Sequence, residues 1–227
     1  MIGPEGRVAL YYAPADDDPL RAAAAAWLGR DPAGSMSARL PLAGLAEITA
    51  DAARYGFHAT LKPPMRLREG ATWTALRAAA TEVAAAVPAF PLPPLAVASL
   101  DGFLALRETA PSPALQALAD AAVAWLDHLR APPDPAELDR RRPLGRSAAE
   151  RAGIARWGYP YVFATWFFHM TLSRRLSEAE HALWRPRAQA HFAAALALPR
   201  RMMDLCLFVQ PAPGAPFVIA ERLPLTG

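Results

Sequence analysis

Five residues occur twice in this chain, as Phe57-His58-Ala59-Thr60-Leu61 and as Phe168-His169-Met170-Thr171-Leu172. Both copies read F-H-x-T-L, and the histidines stand 111 residues apart, with 57 residues before the first and 58 after the second. Self-similarity placed so evenly points to duplicated lobes, and it limits the possible folds more than any other feature of the sequence. Side chains on a β-strand alternate faces with a period of two, so each His shares a face with the Thr two positions on. Phe57, Ala59 and Leu61, like Phe168, Met170 and Leu172, then turn the other way, as on a strand with one face in a core and one lining a groove. An imidazole takes or gives a proton near neutral pH, and a β-branched Thr aims its hydroxyl from a stiff χ1. Two such pairs facing one another would hold a phosphate between two proton-transfer groups. Lys62 is the only lysine among 24 basic residues and stands four positions after His58, on the same expected face, where it would supply a cation to a phosphodiester.

The rest of the chain supplies elements for such a frame. Arg7 to Pro14 is rich in β-formers, and Asp16 to Asp18 offer an N-cap for a helix over Leu20 to Leu28. A loop rich in Gly and Pro follows from Gly29 to Gly44, then a strand over Tyr55 to Leu61 closed by Lys62-Pro63-Pro64, and a helix over Thr72 to Val87. Leu95 to Leu106 carries Asp101-Gly102 at its middle, the signature of a tight turn between antiparallel strands. Ser112 to Trp157 reads as three short helices broken by prolines, and Val162 to Leu172 as a strand. A long helix over Ser177 to Leu196 precedes a terminal hairpin of Met202 to Gln210 and Phe217 to Arg222. Without a regular βαβ rhythm or a Gly-rich phosphate loop, the expected class is α+β with antiparallel sheets.

Composition narrows the function classes. Hydrophobic residues are 53% and charged residues 20% of 227, which gives apolar surface enough for a core and excludes global disorder. No apolar run approaches the roughly 18 to 20 residues that cross a bilayer, and Met1 to Leu10 lacks the basic and long apolar regions of a secretory signal. The expectation is a cytoplasmic protein without a membrane partner. Cys206, the single cysteine, removes disulfide frameworks and reads as core. A formal net charge of +3 is too balanced for a polymer-driven nucleic-acid binder and leaves small anions as the favoured ligands. His128, His181 and His191 lie in helical stretches without ligand spacing, so no metal site is expected.

With both motifs in view, the chain resembles the 2H phosphoesterase superfamily, the LigT-like proteins with two H-x-[ST]-x motifs. The stretches Arg54 to Lys62, Trp157 to Tyr161 and Leu207 to Pro211 resemble a branch encoded in phosphonate-utilisation operons. The resemblance covers essentially the whole chain. It implies one bilobal domain over 1–227, with pseudo-repeats roughly 1–110 and 111–227, and two pseudosymmetric antiparallel sheets with outer helices around a central groove. It also implies cofactor-free, metal-independent work on a cyclic phosphate or phosphodiester of a small sugar phosphate or nucleotide. The expected catalytic residues are His58, Thr60, His169 and Thr171, with Lys62, Tyr55, Tyr159 and Arg142 binding substrate. Arg140-Arg141-Arg142, with Arg146 and Arg151 nearby, is an anion-patch candidate or a solvated helix face. Tyr11, Tyr12 and Tyr161 either pack or stack on a sugar or base. The expected partner is a small phosphorylated substrate acted on by a monomer. An RNA-end 2′,3′-cyclic phosphodiesterase, a 2′-5′ ligase and a non-catalytic phosphate-binding protein are the alternatives.

Overall fold

The computed structural model describes residues 6–145 and 147–227, so the Met1–Glu5 start of the chain lies outside the described residues. Strand β1, Arg7–Tyr12, leads into helix α1, Pro19–Leu28, where the Asp18 side chain accepts a hydrogen bond from the Leu20 amide at 2.8 Å, as the sequence predicts for an N-cap. The expected loop is followed by a second helix, α2, Leu45–Tyr55, which buries Leu45, Ile48, Thr49 and Ala52, spaced along one helical face. Strand β2 therefore starts later than the sequence suggests and spans Ala59–Met65, running through Lys62-Pro63-Pro64 instead of stopping before them.

Helix α3, Trp73–Ala85, and the short strand β3, Phe90–Pro91, precede the hairpin of β4, Leu95–Leu100, and β5, Phe103–Glu108. Asp101 and Gly102 connect its strands with φ of 49° and 89°, the two positive angles that this two-residue turn demands. Three helices follow as expected: α4, Pro113–Leu126, α5, Pro135–Arg141, and α6, Ala148–Trp157. Within the aromatic stretch after them, Phe163–Thr165 form a single 3-10 turn, held by the Thr165 hydroxyl on the Pro160 and Val162 carbonyls. Only Met170–Arg175 form strand β6. The chain closes with α7, Glu178–Leu196, β7, Arg201–Met202, and the hairpin of β8, Asp204–Gln210, and β9, Val218–Pro224.

Seven strands form an antiparallel sheet in the order β4-β5-β6-β2-β1-β8-β9, and β3 and β7 make a small second sheet. The architecture is the expected α+β class. The motif strands β2 and β6 are neighbours at its centre, joined through the antiparallel pair Ala59–Met170. Strands from both halves of the chain serve each side: β8 and β9 extend β1, while β4 and β5 extend β6. Helices α3 and α4 pack over β2, β8 and β9, and α2 and α7 over β6, β5 and β4. Between sheet and helices lies the main core, including Leu10, Tyr12, Leu61, Met170 and Leu172. The opposite sheet face carries a smaller apolar floor of Ala9, Tyr11, Ala13, Cys206, Phe208 and Phe217. No described helix is long and apolar enough to cross a membrane.

Candidate active site

Each motif histidine stands immediately before its strand, His58 ahead of Ala59 and His169 ahead of Met170. Because Ala59 pairs with Met170, the antiparallel register sets His58 opposite Thr171 and Thr60 opposite His169. In a regular sheet the two histidines are then diagonal neighbours at roughly 7 to 8 Å. Both motifs line one groove of about 350 Å³, together with Arg7, Tyr11, Tyr55, Arg141, Tyr159 and Ser173.

The two imidazoles are anchored alike. His58 Nδ1 donates to the Gly56 carbonyl at 2.9 Å, and His169 Nδ1 donates to the Phe167 carbonyl at 3.2 Å. A carbonyl only accepts, so each neutral ring carries its proton on Nδ1 and keeps Nε2 as a proton acceptor. The Thr60 hydroxyl donates to His58 Nε2 at 3.3 Å. Gly56 reaches its position through φ 74° and ψ 167°, a conformation essentially confined to glycine, which aims its carbonyl at the ring two residues on. Aromatic rings back both histidines: Tyr11 stacks on His58 with centroids 3.8 Å apart, and Phe167 lies 4.8 Å from His169.

These surroundings set the charge states. Burial pushes His58 down to about 4, against the Gly56 hydrogen bond, and the nearby His169 lowers it further. Burial also lowers His169, opposed by the Phe167 carbonyl and assisted by Arg107. At neutral pH both rings are therefore uncharged. Burial raises Tyr11 well above the usual phenol range and pushes Tyr159 up to about 12, so both remain hydrogen-bond donors.

Lys62 does not reach the groove. Leu61 and Lys62 both fall opposite Leu10, because the register slips by one residue between Leu10–Lys62 and Tyr11–Thr60. This β-bulge turns two consecutive side chains to the helix side and breaks the alternation that would have kept Lys62 beside His58. A second slip, between Val8 and Leu10, accommodates Pro63 and Pro64 in a central strand, where proline is otherwise excluded. Fully buried, the Lys62 ammonium binds the Asp127 carboxylate at 2.7 Å and the Val123 carbonyl at 3.2 Å at the end of α4. Burial draws Lys62 down to about 8, which leaves it cationic at neutral pH. Burial also pushes Asp127 up, but Arg130 and Lys62 outweigh it and hold the carboxyl below its usual range.

Of the arginine run, Arg141 lines the groove and Arg142 does not: the Arg142 side chain is 79% exposed and pairs with Asp139 at 3.2 Å. Arg146 and the side chain of Arg140 lie outside the described residues. Tyr55 and Tyr159 line the groove as expected, and the sequence reading missed Arg7, which belongs to a strand some fifty residues upstream of the first motif. His128, His181 and His191 are bound to Trp125, Ser99 and Ala23 away from the groove. Among the described residues no group of three or more His, Cys, Asp or Glu is placed to hold a metal ion.

Comparison with known proteins gives the chain its relatives. It is 41% identical over 231 residues to "Ribose 1,5-bisphosphate phosphokinase PhnN" of Janthinobacterium sp. (strain Marseille), an alignment covering 97% of this chain and 51% of that protein. The protein of the same name from Laribacter hongkongensis (strain HLHK9) is 41% identical over 216 residues, covering 93% of this chain and 50% of the relative. The chain thus spans about half the length of these relatives. Among solved structures it is similar to E. coli LigT complexed with 3′-AMP, at 15% identity and a TM-score of 0.45, covering 98% of this chain and 99% of that one. Residues 60–218 match the family model described as "Protein of unknown function (DUF1045)", and the chain belongs to that family.

Proposed function

We propose that this protein is a phosphoesterase of the 2H type that opens a cyclic phosphodiester of a small sugar phosphate. The observation that carries the reading is the meeting of two H-x-T pairs across one groove, each imidazole anchored through Nδ1 to the carbonyl two residues back. In this mechanism a water attacks phosphorus while Nε2 of one neutral histidine takes its proton. The P–O ester bond breaks as the other histidine, protonated on arrival of the anionic substrate, gives its proton to the leaving oxygen. Water is added across one P–O bond, and the two rings exchange roles before solvent resets them. Thr171 donates to a non-bridging oxygen, where negative charge grows, and Thr60 does the same once its hydroxyl turns from His58 Nε2 to the substrate.

Two observations favour a small substrate. A groove of about 350 Å³ matches a sugar phosphate in size. The relatives' name joins a ribose bisphosphate to a phosphokinase, yet this chain has no G-x-x-x-x-G-K-[ST] loop, and its one lysine is buried against Asp127. Our reading links this chain to the compound in that name, since opening a 1,2-cyclic phosphate of ribose 5-phosphate at the 2-oxygen yields ribose 1,5-bisphosphate. Phosphorus NMR of a panel of 2′,3′-cyclic nucleotides, ribose 1,2-cyclic phosphates and short RNAs with a 2′,3′-cyclic end tests this. Fastest opening of the ribose cyclic phosphates is expected, and preference for the RNA ends would overturn the small-substrate reading.

A further inference from the structure

We infer that the Arg7 end of the groove is a subsite for a second phosphate, so that the substrate carries a terminal phosphate monoester besides the ester that is cleaved. This rests on the phosphoesterase reading and adds to it where the rest of the substrate binds. Arg7 begins β1, four residues before Tyr11, which pairs with Thr60, so the two positions lie roughly 13 Å apart along the backbone. Side chains reaching inward from both ends leave room for a phosphorylated sugar between them.

Arg7 is prepared for an anion. Its Nε donates to Gln210 Oε1 at 2.7 Å, and Gln210 is itself fixed by donating to the Ala215 carbonyl at 2.7 Å. The guanidinium lies 5.3 Å from the centre of the Phe217 ring, and its terminal nitrogens make no hydrogen bond among the described residues. No described carboxylate pairs with it. Arg141, which lies 5.7 Å from the Tyr159 ring centre, adds a second guanidinium to the same groove. Glu137 engages Arg141 at 2.5 Å, so of the two only Arg7 lacks a carboxylate partner among the described residues. The hydroxyls of Tyr11, Tyr55 and Tyr159 likewise make no hydrogen bond among the described residues. Guanidinium forks match the paired oxygens of a phosphate, and phenols complete such a shell as neutral donors.

The test compares kcat/KM for ribose 1,2-cyclic phosphate with and without a 5-phosphate, in the wild type, Arg7→Ala and Arg7→Lys. Charge-assisted hydrogen bonds of this kind predict that the 5-phosphate raises kcat/KM by about 100-fold in the wild type, and that the ratio falls below about 10 in Arg7→Ala. Arg7→Lys keeps the charge without the fork and should give an intermediate ratio. A wild-type ratio near one, or a ratio unchanged in Arg7→Ala, overturns the subsite. If the wild type opens neither compound, the phosphoesterase reading fails and calorimetry with ribose 5-phosphate judges the subsite alone. A tenfold or greater loss of affinity in Arg7→Ala then supports it, and equal affinity contradicts it.

Discussion

At His58 and His169 the backbone carbonyl two residues back does what a carboxylate does in many acid–base sites: it fixes the tautomer and the ring plane. A carbonyl brings no charge, so its hydrogen bond offsets only part of the loss of water, and both pKa values fall. Catalysis with one neutral and one protonated ring then carries a pH signature. In the free protein the protonated form of His58 builds up only towards pH 4, so kcat/KM should follow a bell centred on the acid side of the ordinary histidine range. A bound phosphate anion favours the imidazolium, so kcat should peak at higher pH than kcat/KM, and substrate binding at neutral pH should take up a proton. Rate profiles, with calorimetry in buffers of differing ionisation enthalpy, measure both effects; proton release on binding would contradict the charge assignment. The histidines and threonines were legible in the sequence because the motif repeats and strand alternation is local. Arg7 was not, because it joins the site only through the pairing of β1 with β2, and Tyr11 was legible only as a residue that packs or stacks.

The bulge at Leu61 and Lys62 shows where local alternation stops being informative. A period of two carries Lys62 to the groove, but the extra residue against Leu10 returns it to the core, and nothing in the neighbouring sequence records the register of β1. What results is a buried ion pair tying the motif strand to the end of α4, with Arg130 at 2.7 Å from the same carboxylate. Removing one partner of such a pair strands the other charge. Asp127→Ala should therefore destabilise by about 3 to 5 kcal/mol, while Lys62→Met, which leaves Asp127 its arginine, should cost less. Urea unfolding ranks the two. Kinetics on Lys62→Met should stay within a few-fold of wild type, and a loss of 10²-fold in a folded variant would put the ammonium in the substrate's path. Helix α2 was missed although Leu45, Ile48, Thr49 and Ala52 recur at helical spacing among alanines, and its packing on β6 makes that short pattern plain.

Across the whole molecule, the repeat visible in the sequence does not correspond to two separable pieces of chain. Strands β8 and β9 lie beside β1 and β2, and β4 and β5 lie beside β6, so each side of the groove borrows strands from the other half of the sequence. Fragments 1–110 and 111–227 should accordingly be unfolded when expressed alone, and the full chain should melt in one transition by circular dichroism. Two separate transitions would show lobes that fold independently. The same exchange holds the motif strands side by side at the centre, where the pair Ala59–Met170 brings both histidines to one groove. The most direct test of the account follows the phosphorus NMR signal of a ribose cyclic phosphate with wild-type protein, His58→Ala and His169→Ala, each with and without a chelator. The wild type should convert the cyclic ester to a monoester whether or not the chelator is present, and each variant should be slower by about 10² to 10⁴. Full activity in either histidine variant, or activity abolished by the chelator, would contradict it.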